Sequence, residues 1–207
     1  MTADTLRAWV EIDIDAFIHN LGVAKKLTGT KVMAVVKGNA HGHGAVKASL
    51  ALEAHGADAF AVACMSEAIE LREAGIQAPI LVLGWTPAEC ARQLADYGIA
   101  QSVMDEDYAL ELNEAAAAAG KVVDIHAKLD TGMSRTGIFA QENPAEAAQI
   151  VSRIANLPNL NIKGIFTHYA AADMPEKDDF TAWQLSNYKA VLRALETLGF
   201  DKPVVHH

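Results

Sequence analysis

Val35-Val36-Lys37-Gly38-Asn39-Ala40-His41-Gly42-His43-Gly44 joins a short apolar run to a glycine-rich turn, with a lysine at the joint. Val32 to Val36 reads as a strand buried on both faces, a setting that an ordinary lysine avoids because its ammonium is costly to desolvate. Lys37 therefore reads as a functional residue. Desolvation favours the neutral amine, and a neutral amine at a strand end is a nucleophile able to condense with an aldehyde. The alternative is a side chain that only snorkels from the strand into solvent.

Working outward, apolar β-branched runs recur at Val32 to Val36, Ala59 to Ala63, Ile80 to Leu83, Ile99 to Val103, Val122 to Lys128 and Ile162 to Thr167, with helical patterns between them. That βαβα rhythm predicts a parallel sheet covered by helices. Thr86-Pro87-Ala88-Glu89 has the form of a capping box with proline at the first helical position, and Asn143-Pro144-Ala145-Glu146 repeats it with asparagine as the cap. Gly56, Gly75, Gly98, Gly120 and Gly199 each follow a helical pattern, where a left-handed closing residue is wanted. The first helix, Asp15 to Leu27, spaces Phe17, Leu21 and Ala24 for core packing. A (β/α)8 barrel takes about 250 residues and eight strands. Six strands are legible, and a seventh begins at Val204-Val205, just before the sequence stops at His206-His207. An open doubly wound sheet accommodates six strands as well, so periodicity does not separate the two architectures.

With 207 residues, 51% of them hydrophobic, the chain can bury a sizeable core as one domain. A net charge of −9 provides no basic footprint for nucleic acid and opposes adsorption to anionic membranes, which leaves a small-molecule partner. Cys64 and Cys90 are isolated and read as free, buried thiols in a reducing cytoplasm. His41 and His43 lie two apart on a glycine-rich loop, yet no neighbouring carboxylate or thiolate completes a tetrahedral set, so no metal is expected. Neither a leader pattern nor a run of about 18 apolar residues occurs, and the expected location is cytoplasmic.

Four stretches, in order, resemble the alanine racemase family. They are Ala8-Trp9-Val10-Glu11-Ile12-Asp13, the lysine stretch quoted above, Lys128-Leu129-Asp130-Thr131-Gly132-Met133-Ser134-Arg135-Thr136-Gly137, and Gly164-Ile165-Phe166-Thr167-His168-Tyr169-Ala170. The resemblance implies an α/β fold of the (β/α)8 TIM-type barrel kind that binds pyridoxal 5'-phosphate, incomplete here with six to seven of eight strands. Residues 1–207 are then the N-terminal portion of that barrel domain, without the family's C-terminal β domain. The implied activity is interconversion of L- and D-alanine, supplying D-alanine for peptidoglycan.

By the same resemblance Lys37 holds the cofactor covalently and serves as the base on one face of the substrate. The opposite base, in the family a tyrosine of the partner subunit's C-terminal domain, has no counterpart in this sequence, so a homodimeric parent enzyme is implied. Arg135 matches the arginine that bonds the cofactor's phenolic oxygen near the substrate carboxylate, a role suited to a planar guanidinium. An ordinary loop arginine paired with Asp130 is the alternative. Lys128 corresponds to a lysine that can be carbamylated, or it bridges to Asp130. His168 stacks on the cofactor ring, Leu83 lines the cofactor site and Trp85 walls the pocket or simply packs. At position 41 the family usually has tyrosine, whose hydroxyl contacts the phosphate. His41 can donate to a phosphate too. Asn39 reads as a turn residue. Three other readings share the barrel: serine racemisation, a non-catalytic cofactor-binding homeostasis module that lacks a second domain, and a much longer decarboxylase of basic amino acids. The Lys128 to Gly137 and Gly164 to Ala170 stretches favour the racemase, and the fragment alone is expected to be inactive.

Overall fold

The computed structural model describes residues 8–200 and 204–206, which form two compact units, one ending at Ile80 and the other starting at Leu81. His207 lies outside the described residues.

In the first unit, helix α1 (Ile14–Thr28) starts at Asp13, whose carboxylate accepts the Ala16 N–H at 3.1 Å. Strand β1 (Met33–Val35) pairs in parallel with β2 (Ala59–Val62), Met33 opposite Ala59. Helices α2 (Ala45–Ala54) and α3 (Met65–Glu73) flank β2 in sequence. Phe60, Leu71 and Ile76 are wholly buried and form the core of this unit. Asp58 accepts the Val32 N–H at 2.8 Å and pairs with Lys25 at 2.9 Å, fixing the entry to β1. The expectation of a strand buried on both faces is corrected here: Val35 is 46% exposed, and Val32, Met33 and Ala34 are half-buried. Among the described residues β1 pairs with β2 alone, so one of its edges has no strand to cover it.

Strand β3 (Ile80–Val82) straddles the boundary between the units. In the second unit β4 (Ile99–Val103), β5 (Val123–Asp130), β7 (Leu160–Phe166) and β8 (Val204–His206) run parallel in that order, and the two-residue β6 (Ile138–Phe139) lies along the end of β5. The helices between them are α4 (Ala91–Asp96), α5 (Glu106–Ala119), α6 (Pro144–Ala155) and α7 (Asp178–Thr197). Helix α6 buries Ala147, Ala148, Val151 and Ile154, one stripe at helical spacing. A register shift between Ile125 and His126 sets His126 opposite Gly164. Tyr188 of α7 donates its hydroxyl to the carbonyls of Ile165 and His206, at 2.7 and 3.3 Å, which ties β7 and β8 to the helix.

The asparagine cap forms as read: Asn143 accepts the Glu146 N–H at 3.2 Å, with Pro144 opening the helix. The threonine cap does not. Pro87 keeps an extended backbone (φ −53°, ψ 135°), a short 3-10 turn over Ala88–Cys90 precedes α4, and the buried Thr86 Oγ1 has no hydrogen-bond partner. Both cysteines are free, but Cys64 is exposed because it caps α3 outside the sheet, and Cys90 is half-buried. The five closing glycines all take positive φ. Among the described residues no helix is long and apolar enough to cross a membrane.

Candidate active site

In the first unit the chain leaves β1 through buried Val36 and arrives at Lys37, which is half-buried rather than enclosed. Gly38, Asn39, Ala40 and His41 then take φ of 61°, 55°, 52° and 55°, one turn of left-handed helix. Each non-glycine residue in that geometry costs about 1 to 2 kcal/mol, and such strain persists only where surrounding contacts over-determine it. Those contacts are present. The Ala40 N–H donates to Val36 O at 2.7 Å, Gly42 N–H to Gly38 O at 3.1 Å and Gly44 N–H to Asn39 O at 2.9 Å. Asn39 Oδ1 accepts the Ala45 N–H at 2.8 Å, so the residue read as a turn former also caps α2. His43 points Nδ1 at Ala40 O, 2.6 Å away, and meets Phe17 edge to face. His41 is exposed at the end of the turn and lines an apolar groove of about 400 Å3 shared by Phe17, Leu21, Ala34 and Val36.

One residue of this arrangement went unnoticed in the sequence. Glu67, in the first turn of α3, accepts the Gly38 N–H at 2.8 Å through one oxygen and the Ala63 N–H at 2.7 Å through the other. Its carboxylate joins the turn after β1 to the end of β2, directly beside Lys37 in the chain. The signal was a glutamate three residues after a helix cap, which reaches back to free backbone N–H groups.

The second unit holds the other candidates. Lys128 stands on β5 opposite Phe166 of β7, so His168 follows two residues beyond that pairing. Lys128 is only 7% exposed, and its Nζ donates to Thr136 Oγ1 at 2.5 Å, across the loop that carries Arg135. Arg135 and His168 are exposed, Leu83 is half-buried just past β3, and Trp85 is 63% exposed against Tyr108. Asp130 organises the loop: Oδ1 accepts the N–H groups of Gly132 and Ser134, at 3.1 and 2.9 Å, and Oδ2 accepts Gln141 Nε2 at 3.2 Å. Among the described residues no ion pair joins Asp130 to Arg135. Buried Thr131, Thr167, Gln184 and Asn187 form a polar layer beneath these loops that the sequence did not disclose.

The chemistry available is a reachable primary amine and an imidazole on one unit, and, on the other, a guanidinium, a buried lysine amine and a second imidazole. Taken separately, a primary amine is a nucleophile toward an aldehyde carbon, and a guanidinium presents fixed planar donors to an anionic oxygen.

The family described as "Alanine racemase, N-terminal domain" matches residues 12–207. An alanine racemase of Clostridium perfringens is 41% identical over 199 residues, covering 96% of this chain and 50% of that protein. The solved alanine racemase of Clostridium difficile 630 in complex with cycloserine superposes with a TM-score of 0.90 at 36% identity, over 98% of this chain and 55% of that one. A histidine racemase from Leuconostoc mesenteroides superposes with a TM-score of 0.80 at 31% identity, over 93% and 50% of the two chains. The chain thus spans about half the length of the curated relatives it matches, and its α/β fold is of the incomplete (β/α)8-barrel kind expected above.

Proposed function

The chain belongs to the alanine racemase family, and from that premise we propose that it is the lysine-bearing part of a pyridoxal-phosphate-dependent racemase acting on alanine. The observation that carries this reading is the amine of Lys37, reachable at the end of β1 and followed at once by a braced left-handed turn. Bound pyridoxal phosphate supplies an electron sink that acidifies the α-hydrogen of an amino acid.

The protein's share is attachment, orientation and proton movement. Lys37 Nζ would hold the aldehyde and, when free, would take and return the α-proton on one face. Arg135 would present parallel N–H donors to an anionic oxygen, and His168 would offer its ring to the cofactor. Leu83 is the candidate apolar contact to the cofactor. His41 stands where the family has tyrosine and is the candidate donor to the phosphate. Lys128, buried beside the Arg135 loop, is the candidate for modification to a carbamate. Racemisation also needs a base on the opposite face, which we assign to the partner subunit of a homodimeric parent enzyme.

Alanine as substrate rests on the curated relatives at about 40% identity. The fold alone does not choose it, since a histidine racemase shares the fold. Those relatives favour a racemase over a cofactor-binding module without catalysis. The test is chemical: incubate the chain with pyridoxal phosphate, reduce with borohydride and map the adduct by mass spectrometry. Label is expected on Lys37 and absent from Lys37→Ala. Label on another lysine in the wild type overturns the assignment.

A further inference from the structure

Beneath the Arg135 and His168 loops one side chain of α7 is bonded to both. Gln184 is fully buried, and each of its polar atoms is engaged. Its Oε1 accepts the Ala170 N–H at 3.0 Å, and its Nε2 donates to the main-chain carbonyl of His168 at 3.2 Å and to Thr131 Oγ1 at 3.5 Å. The partners fix which way the amide lies, because the carbonyl of His168 and the N–H of Ala170 each have a single role.

Neighbours reinforce the clamp. The Thr131 and Thr167 hydroxyls meet at 2.7 Å, and Thr167 Oγ1 donates onward to Leu129 O at 3.0 Å. Asn187, almost one turn along α7, donates to Thr131 O at 3.1 Å. The approach is close: a Cβ on Gly132 would stand 2.6 Å from the Trp183 ring and 2.9 Å from Gln184 Cγ. Gly132 is thus bare where the helix presses on the loop.

We propose that Gln184 is a positioning residue that holds the loop after β5 and the loop after β7 in one fixed relation, so that Arg135 and His168 act as a preset pair. The roles of those two residues rest on the reading above. Buried amides bonded on every side transmit position rigidly, because moving either loop would strand a donor or an acceptor in the core. Gln184 itself is fully buried and acts through the loops it bonds.

The test uses the full chain and three proteins: wild type, Gln184→Met, which keeps the volume and removes the bonds, and Val191→Ala, which loosens the buried face of the same helix about two turns further on. Two readouts are taken. The first, amide hydrogen exchange over residues 131–136 and 168–172, needs no cofactor. Gln184→Met is expected to speed exchange in both segments together by about tenfold, the loss of one to two buried hydrogen bonds. The second is titration with pyridoxal phosphate, following the absorption band of the lysine-bound cofactor and its pH dependence. Gln184→Met is expected to shift that pH dependence and weaken uptake, whereas Val191→Ala leaves the band as in wild type. Exchange unchanged in Gln184→Met, loosening of one loop without the other, or the same spectral change in Val191→Ala overturns the proposal. A wild-type chain that takes up no aldehyde tells against the reading of Lys37, while the exchange comparison still decides the coupling of the loops.

Discussion

His126 is a buried imidazole whose protonation opposes the folded state. Its imidazole is buried on β5, with Nδ1 2.8 Å from Nε2 of His206, and the His206 ring stacks in turn on Phe166. Burial pushes the His126 imidazole down to about 4 from an ordinary 6.5. The unfolded chain therefore takes up a proton that the folded chain refuses. The contribution of His126 to stability is full above pH 6.5 and is lost as the pH drops from there to about 4, about 3 kcal/mol in all. Urea midpoints measured between pH 7 and 4 should show this slope, and His126→Gln should flatten it. An equal slope in both proteins would remove His126 as the cause. The sequence offered a histidine on a strand, but not its burial. That depends on the register shift bringing Gly164 opposite, where any Cβ would lie 2.3 Å from the imidazole Nδ1.

At the scale of elements, local signals were read well wherever the bonds they need are local. The helix opened by Asn143 and the helices closed by glycine required only neighbours in the chain. Thr86 shows the limit. Tyr108, 22 residues on, donates to the Thr86 carbonyl at 2.7 Å, and Pro87 stays extended, so a local pattern yielded to a distant contact. Strand β6 went unread because two residues carry no periodicity. Glu67 and Gln184 stayed hidden for the same reason as Thr86: their partners are 29 and 4 residues away in one case and up to 53 in the other.

Gly137 in the loop after β5 and Gly38 in the turn after β1 make a sharp comparison of two glycines. Gly137 has φ 131°, and a Cβ there would meet Asp130 N at 2.8 Å and Leu129 C at 2.9 Å, backbone atoms that cannot give way. Gly137→Ala should cost about 2 to 4 kcal/mol. Gly38→Ala, at φ 61° with nothing within 4 Å, should cost only about 1 kcal/mol, the left-handed penalty alone. Urea denaturation of the two variants checks the order, and equal losses would contradict it.

For the whole molecule, the ordered stretches made the fold legible, since three of the four fell on the end of a parallel strand or the turn beside it, and the first leads into α1. The overall burial of β1 was misjudged because a strand's exposure depends on what lies across its edge, and Val35 records that edge as open. The chain spans about half of its curated relatives, and on the proposed mechanism it brings only one of two bases. Purified alone, it should take up pyridoxal phosphate on Lys37 yet form no D-alanine from L-alanine in a coupled assay. Measurable D-alanine would show that the second base lies within these 207 residues. The reversed turn at Gly38–His41 carries a last implication. A segment wound against the natural hand cannot loosen by degrees into the right-handed helix that follows, because the intermediate torsions are sterically barred. The main chain at its mouth, from which the Lys37 side chain springs, is thus held by a latch that is either closed or fully sprung.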